Sequence, residues 1–167
     1  VKHRSTILFS GSAQGAAIAA AEELRTRFNV AVDLWSATSY KTLREDALAV
    51  ERHNRLHPSH PPKVARVTAL LSGCSDPVIA VSDFMKIVPE QIARFVPGRS
   101  FTALGTDGMG RSDTRHALRS HFEIDMPNIV VAVLAALAQS GAVSPDIVQQ
   151  AIAKYDIKPS RTDPYIV

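Results

Sequence analysis

Cysteine occurs once in the 167 residues, at Cys74, so no disulfide can form within the chain. Aromatic residues are scarce, at 6%, and nothing reads as a secretory signal or as an apolar run long enough to cross a bilayer. Neither sign of charge prevails: 19 lysines and arginines oppose 16 aspartates and glutamates, a formal net charge of +3. Nucleic-acid binders gather basic residues on one face and interleave aromatics with them. Here the basic residues stand beside acidic ones, as in Glu22-Glu23-Leu24-Arg25, which argues against a nucleic-acid partner. No G-K-S or G-K-T triplet occurs, which removes a P-loop. Together these absences predict a soluble, cytoplasmic protein of a reducing compartment, with no membrane partner. The chain also lacks an initiator methionine and runs from Val1-Lys2-His3-Arg4 straight into a strand-like segment, as a fragment of a longer protein would.

What is present is a chain of single-domain length that is 46% hydrophobic. At that size folding buries roughly two thirds of the unfolded surface, enough for one core without staples. The run STILFS, residues 5–10, is short, apolar and closed by Gly11-Ser12, and predicts a buried strand. Ala17, Ala21, Leu24 and Phe28 then recur at helical spacing, with Glu23 and Arg27 four apart on the outer side, predicting an amphipathic helix. The alternation continues with a strand over 30–35, a helix over 40–56 capped at Thr38 or Ser39 and ended by a proline cluster, and a further helix over 64–71. Strands over 78–82 and 101–105 flank a helix carrying Met85, Ile87 and Ile92. The apolar run 128–138 reads as a helix from its length, its alanines and Pro127, with Gly141 as its stop. Ser144-Pro145-Asp146 opens a last helix whose stripe is Ile147, Val148, Ala151, Ile152 and Tyr155, and residues 157–167 form a polar surface tail. Strands joined by helical crossovers make an α/β three-layer sandwich, a mostly parallel sheet with helices on both faces. Residues 1–167 then form one domain without internal repeats.

Ligands of such sheets bind beyond the carboxyl ends of the strands, where both glycine-bearing loops fall. Gly11-Ser12-Ala13-Gln14-Gly15 follows a strand but lacks the G-x-G-x-x-G spacing, and reads as a tight turn. The loop TDGMGRSDTR, residues 106–115, comes closer, because Gly108 and Gly110 lie between a strand and a helix. The position of the third glycine is Asp113, whose carboxylate would neutralise the helix end where a pyrophosphate binds. Ser112 and Asp113 read instead as caps for a helix beginning at Thr114. A calcium loop starting at Asp107 would need a glutamate at its twelfth position, which is Leu118. His53 and His57 are spaced to share one helix face, with His60 nearby as a third zinc ligand, but no glutamate follows His53 to serve as base. Ser10, Ser12, Ser82 and Cys74 lack the setting of an activated nucleophile, and Cys74 reads as a small buried filler. The residues alone predict no self-contained catalytic, cofactor or metal site. They leave Asp107, Gly108, Gly110, Arg111, Ser112, Asp113 and Arg115 as a polar candidate loop, open to bracing one protein surface against another or to receiving a small anion.

The stretch LGTDGMGRSDTRHALRSHFEIDMPNIVVAVLAAL, residues 104–137, closely resembles the carboxyl-terminal part of the homodimeric bacterial type of pyruvate dehydrogenase, the decarboxylating first component of its complex. DLWSATSYKTLREDALAVERHNRLHP (33–58), VSDFMKIVPEQIARFVPG (81–98) and QQAIAKYDI (149–157) are similar to that family in the same order. The resemblance implies the third domain of a three-domain thiamine-diphosphate enzyme. That domain is of the transketolase carboxyl-terminal type, a five-stranded, mainly parallel sheet with one antiparallel edge strand. By the same resemblance, thiamine diphosphate and magnesium belong to the first two domains, and this domain holds no cofactor and no catalytic residue. Its implied partners are those amino-terminal and middle domains, the homodimer mate and the dihydrolipoyl acetyltransferase. The family's G-D-G…N cofactor motif is out of register here, since Gly105-Thr106-Asp107-Gly108 carries an extra residue and Asn128 follows Asp107 by only 21 positions. Three places depart from the family pattern. His53 stands where relatives often have an aromatic, Met109 where they often have phenylalanine, and Gly11-Ser12-Ala13 where they often have G-S-G. The first argues against an inherited histidine metal site, the third against anion binding at that turn, and the second is a volume-tolerant exchange.

Overall fold

Strands and helices alternate along the chain. β1 (His3–Phe9) turns at Gly11–Ala13 into α1 (Gln14–Phe28), and β2 (Val30–Ser36) leads to α2 (Tyr40–Leu56) and α3 (Arg66–Leu70). β3 (Val78–Val81) leads to α4 (Ile87–Glu90), and β4 (Phe101–Leu104) to α5 (Arg115–His121), α6 (Met126–Gln139) and α7 (Pro145–Lys154). This computed structural model describes residues 2–73, 76–96 and 98–166; Cys74, read above as a buried filler, lies outside them.

The sheet order is β2-β1-β3-β4 and every neighbouring pair is parallel, with Ile7 opposite Leu34 on one side and Ile79 on the other. The expected α/β class and parallel sheet are found. Among the described residues the sheet has four strands rather than five, and the antiparallel edge strand is not seen. After β4 the chain is spent on helices, and its last segment carries Pro159 and Pro164, which cannot donate to a ladder.

Period-two alternation splits the core into two layers. Ile7, Ile79 and Val81 face α1 and α6, packing with Ala17, Leu24, Val133 and Leu134. Leu8, Val78 and Ala80 face the other side, with Ala47 of α2, Val67 of α3, Ile92 and Phe95. α1 approaches the sheet through small side chains, Ala13, Ala17 and Ala20, so the buried stripe runs through Ala20 where the spacing had pointed to Ala21. Burial of a leucine such as Leu134 is worth roughly 2–5 kcal/mol against alanine.

Local signals place several ends. The Ser39 side chain accepts from the Thr42 amide at the start of α2, Asp125 from the Asn128 amide at α6, and Ser144 from the Asp146 amide at α7. The Asp125 cap starts α6 before residue 128, with Pro127 in its first turn. The helices expected over 64–71 and around Met85 are much shorter. The Arg66 amide is held by Asp46 Oδ2 at 2.7 Å, fixing the start of α3, and the second becomes α4 followed by a 3-10 turn at Ala93–Phe95.

One expectation is corrected. Arg115–Gln139 does have the length and apolar content of a membrane span. It is two helices, α5 and α6, broken where Glu123 takes φ 59° and Asp125 caps anew. Ile129, Val130, Val133, Leu134 and Leu137 of the second are core residues. The tail also does more than lie on the surface. Pro164 is buried, and Arg161 donates to the Ser120 carbonyl and reaches the His121 ring at 2.9 Å.

Candidate functional site at the carboxyl end of the sheet

The strand order reverses direction between β1 and β3, the point where doubly wound sheets open a ligand crevice. The turn after β1 supplies Gly11 and Ser12, and the turn after β3 supplies Ser82 and Asp83. Here the crevice is bridged. Ser12 Oγ donates to Asp83 Oδ2 at 3.1 Å, and Arg119 of α5 donates to the Ser12 carbonyl at 2.8 Å. Gly11 holds φ 54°, and a Cβ there would meet Asp83 Oδ1 at 3.4 Å. What remains beside the bridge is a cleft of about 340 Å³, lined in part by Asp83, Asp113, Arg115 and Arg119. The turn is a tight strand-to-helix connection in which the Ser12 hydroxyl and carbonyl are committed to the fold.

The loop after β4, residues 105–115, is built by close backbone contact. Thr106 donates from its amide to the Phe84 carbonyl at 2.9 Å and from its hydroxyl to the Asp83 carbonyl at 2.9 Å. A Cβ on Gly105 would sit 2.4 Å from the Phe84 carbonyl oxygen, so only glycine fits. Asp107 is 9% exposed and its Oδ2 accepts from the Lys86 amide at 3.1 Å. Gly108, at φ 101°, packs on the tail, where a Cβ would meet the Pro164 carbonyl oxygen at 2.0 Å. Gly110 has open space around it.

The rest of the loop diverges. Arg111 and Ser112 line a cleft of about 610 Å³ with His121 and Arg161, whereas Arg115 lines the 340 Å³ cleft, and Asp113 borders both. The seven candidate residues therefore do not converge on one point. Burial, and then the positive charges of Arg111 and Arg161, hold the His121 imidazole below its ordinary pKa. The capping expectation shifts by one residue. Thr114 is the cap of α5, its hydroxyl accepting from the Ala117 amide at 3.3 Å, while Asp113 Oδ1 accepts from the Thr114 amide at 2.6 Å.

The aspartate and the asparagine of the displaced cofactor motif are both tied into the fold. Asp107 is turned inward onto Lys86, and Asn128 donates from its side chain to Asp125 Oδ1 at 2.7 Å. With an extra residue inside Gly105-Thr106-Asp107-Gly108 and Asn128 bonded to the cap of its own helix, these residues do not make the cofactor's motif. Among the described residues no three histidine, cysteine, aspartate or glutamate side chains gather to hold a metal. His53, His57 and His60 stack face to face at centroid separations of 4.3 and 5.5 Å, and His57 Nδ1 pairs with the His53 carbonyl. Of the serines considered as nucleophiles, Ser82 Oγ is bonded to the Phe84 amide, and Ser10 Oγ is buried without a partner among the described residues. Asp83, Arg119 and Arg161 were not among the sequence candidates. Asp83 could have been found, as a carboxylate directly after a buried strand; Arg161 carries no local signal at all.

Comparison with known proteins gives this architecture a family. The model of the transketolase-like TK C-terminal domain matches residues 1–125. The pyruvate dehydrogenase E1 component of Pseudomonas aeruginosa is 46% identical over 162 residues, covering 97% of this chain and 18% of that protein. Its counterpart in Mycolicibacterium smegmatis is 45% identical over 151 residues, 90% of this chain and 16% of that protein. The one in Escherichia coli K12 is 39% identical over 163 residues, 98% of this chain and 18% of that protein. The chain thus spans less than a fifth of the length of these curated relatives, and the resemblance read from residues 104–137 is to proteins of that name. A parallel sheet in the order β2-β1-β3-β4, helices on both faces and a family model over three quarters of its length make this chain a member of the transketolase-like carboxyl-terminal domain family.

Proposed function

We propose that this chain is the non-catalytic carboxyl-terminal domain of a pyruvate dehydrogenase E1 component, an enzyme that oxidatively decarboxylates pyruvate and acetylates lipoyl groups. The observation that carries this reading is a likeness to such E1 components that runs along nearly the whole chain. The domain's role is to stabilise the contacts between domains and between the two subunits, and to assist assembly of the complex. Its partners are the amino-terminal and middle domains of the same polypeptide, the homodimer mate and the dihydrolipoyl acetyltransferase. Thiamine diphosphate and magnesium belong to the remainder of that cytoplasmic enzyme. The committed polar groups at the β1–β3 crevice, and Asp107 turned inward, support a structural role. The loop residues Arg111, Ser112, Asp113 and Arg115 are exposed, and the guanidinium groups of Arg111 and Arg115 are suited to carboxylates or carbonyls across a contact. The purified domain mixed with pyruvate, thiamine diphosphate and magnesium will release no carbon dioxide, while the full-length enzyme will; turnover by the domain alone overturns the reading.

A second reading, a small-anion regulatory or partner-docking module, is favoured by one arrangement. Arg111, Arg161 and His121 surround the 610 Å³ cleft, and Asp113, the only carboxylate lining it among the described residues, already accepts from the Thr114 amide. Isothermal titration with inorganic phosphate, nucleotides and 2-oxoacids tests it. Heat that disappears in an Arg161→Ala variant supports binding, and uniformly flat titrations rule it out.

A further inference from the structure

Twelve large apolar side chains are exposed among the described residues, and half of them gather at the carboxyl ends of β3 and β4. Phe84 is 52% exposed, Met85 55%, Ile87 60%, Met109 71%, Tyr165 64% and Ile166 72%. They lie on either side of one four-residue backbone segment. Gly105 and Asp107 rest on Phe84, Met85 and Lys86, and Gly108 rests on Pro164 and Tyr165. If each fully exposed side chain offers roughly 200 Å², the six present on the order of 700 Å². The largest apolar patch on an ordinary monomer is about 300–600 Å². The backbone beneath is fixed at three places, by the two glycine contacts and by the Asp107 carboxylate on the Lys86 amide. Such a face is ready to be covered without rearrangement.

We infer that this face, Phe84, Met85, Ile87, Met109, Tyr165 and Ile166, is where the amino-terminal remainder of the full-length polypeptide seats. The inference rests on the reading of this chain as one domain of a longer enzyme. The matching family is a carboxyl-terminal one, and relatives are more than five times as long, so most of such a polypeptide lies ahead of Lys2. That remainder is the occupant with the surface to cover so large a patch. Lys86 and Arg111, and likewise Asp83 and Asp163, stand beside the apolar residues in sequence, so the rim carries both signs of charge. This extends the proposed brace from the arginine loop to an apolar centre, with the arginines as its polar edge.

Hydroxyl-radical footprinting of the wild-type full-length enzyme tests the inference without a variant that has to fold. Met85, Met109, Phe84 and Tyr165 are reactive side chains, and Trp35, 40% exposed at the far edge strand, serves as the internal standard. Oxidation of Met85 and Met109 at least tenfold slower than in short peptides of the same sequence, with Trp35 modified freely, is the expected result. Oxidation at peptide-like rates overturns it. A photoreactive phenylalanine analogue at position 109 then identifies the cover. Cross-links to peptides preceding Lys2 support the inference; cross-links into another copy of residues 1–167, or into the acetyltransferase, overturn it. Deleting this domain from the full-length enzyme separates the two failures. Retained dimers and retained pyruvate turnover count against the structural role itself, whereas their loss together with an exposed patch counts only against this face.

Discussion

Gly108 lies so close to Pro164 that a Cβ on the glycine would stand 2.0 Å from the proline carbonyl oxygen, although the two residues are far apart in sequence. The backbone of Gly108 is also at φ 101°, where a side chain is strained even in open space. Gly108→Ala therefore suffers twice. Strain of this kind costs about 1–3 kcal/mol, and the contact adds to it unless the tail moves off. A denaturant midpoint lowered accordingly, with faster hydrogen exchange over residues 163–166, is the expected outcome.

Asp107 predicts a graded pair of variants. Its carboxylate accepts from the Lys86 amide in a buried setting, so Asp107→Ala leaves that amide without a partner and costs roughly 1–3 kcal/mol. Asp107→Asn keeps an acceptor oxygen and loses less than about 1 kcal/mol. Chemical denaturation of both in parallel checks the order; equal losses would show that charge, not the hydrogen bond, matters here.

Tyr40 predicts a gain. The ring is 4% exposed in the α2 layer, and its hydroxyl finds no partner among the described residues. Burial alone pushes that hydroxyl's pKa up. Tyr40→Phe keeps the ring and removes the unpaired group, so stability is unchanged or higher by up to about 1 kcal/mol. A fall in the thermal midpoint would contradict this.

Glu23 predicts a pH dependence. It accepts from Lys154 and, at 2.8 Å, from the Tyr155 hydroxyl, and pairs with Arg27 at 3.0 Å, joining α1 to α7. The Lys154 hydrogen bond is the chief reason its carboxyl sits below the usual carboxylate range in the folded chain. The folded form therefore holds its proton less tightly than the unfolded form. The stabilisation is complete above about pH 4.3, the ordinary glutamate value, and is lost as pH falls through the depressed one. Glu23→Gln should be less stable than the parent by about 0.5–1 kcal/mol at neutral pH, with the difference closing in acid and shrinking in high salt.

His121 offers a spectroscopic check on the tail. Its pKa is lowered first by burial, then by Arg111 and Arg161. In Arg161→Ala one cation leaves and the ring becomes more open, so the imidazole resonance should titrate at higher pH than in the parent. An unmoved titration would mean that the tail is not seated on α5.

Much of this was readable along the chain, and the reasons are local. α2 runs from Tyr40 to Leu56 as the spacing indicates, because Ser39 caps one end and the proline cluster closes the other. The Glu23–Arg27 pair forms as four-apart charges on a helix should. What escaped reading depends on segments that meet only in the folded chain. The Ser12–Asp83 bridge spans 71 positions and the Arg119–Ser12 bond 107, and no pattern in either segment announces the other. Apolar spacing also overextended α3 and α4, since it cannot register that the Asp46 carboxylate takes the Arg66 amide and sets where α3 begins. The spacing presents the seven loop residues as one candidate site, but the fold divides them. Arg111 lines one cleft and Arg115 another.

The seating of Pro164 on Gly108 has a bearing on when this domain is finished. Every strand pair is parallel, so none can zip from a hairpin, and each waits for an intervening helix to bring its partner alongside. The sheet can be complete on the ribosome once β4 emerges, but the loop at its carboxyl end still lacks the residues that close over it. At about 5–20 residues per second, several seconds separate the appearance of Gly108 from that of Pro164. Through that interval the loop is held at Gly105 and Asp107 but lacks its third contact, so any encounter that needs the seated Gly108 waits until Pro164 has been made.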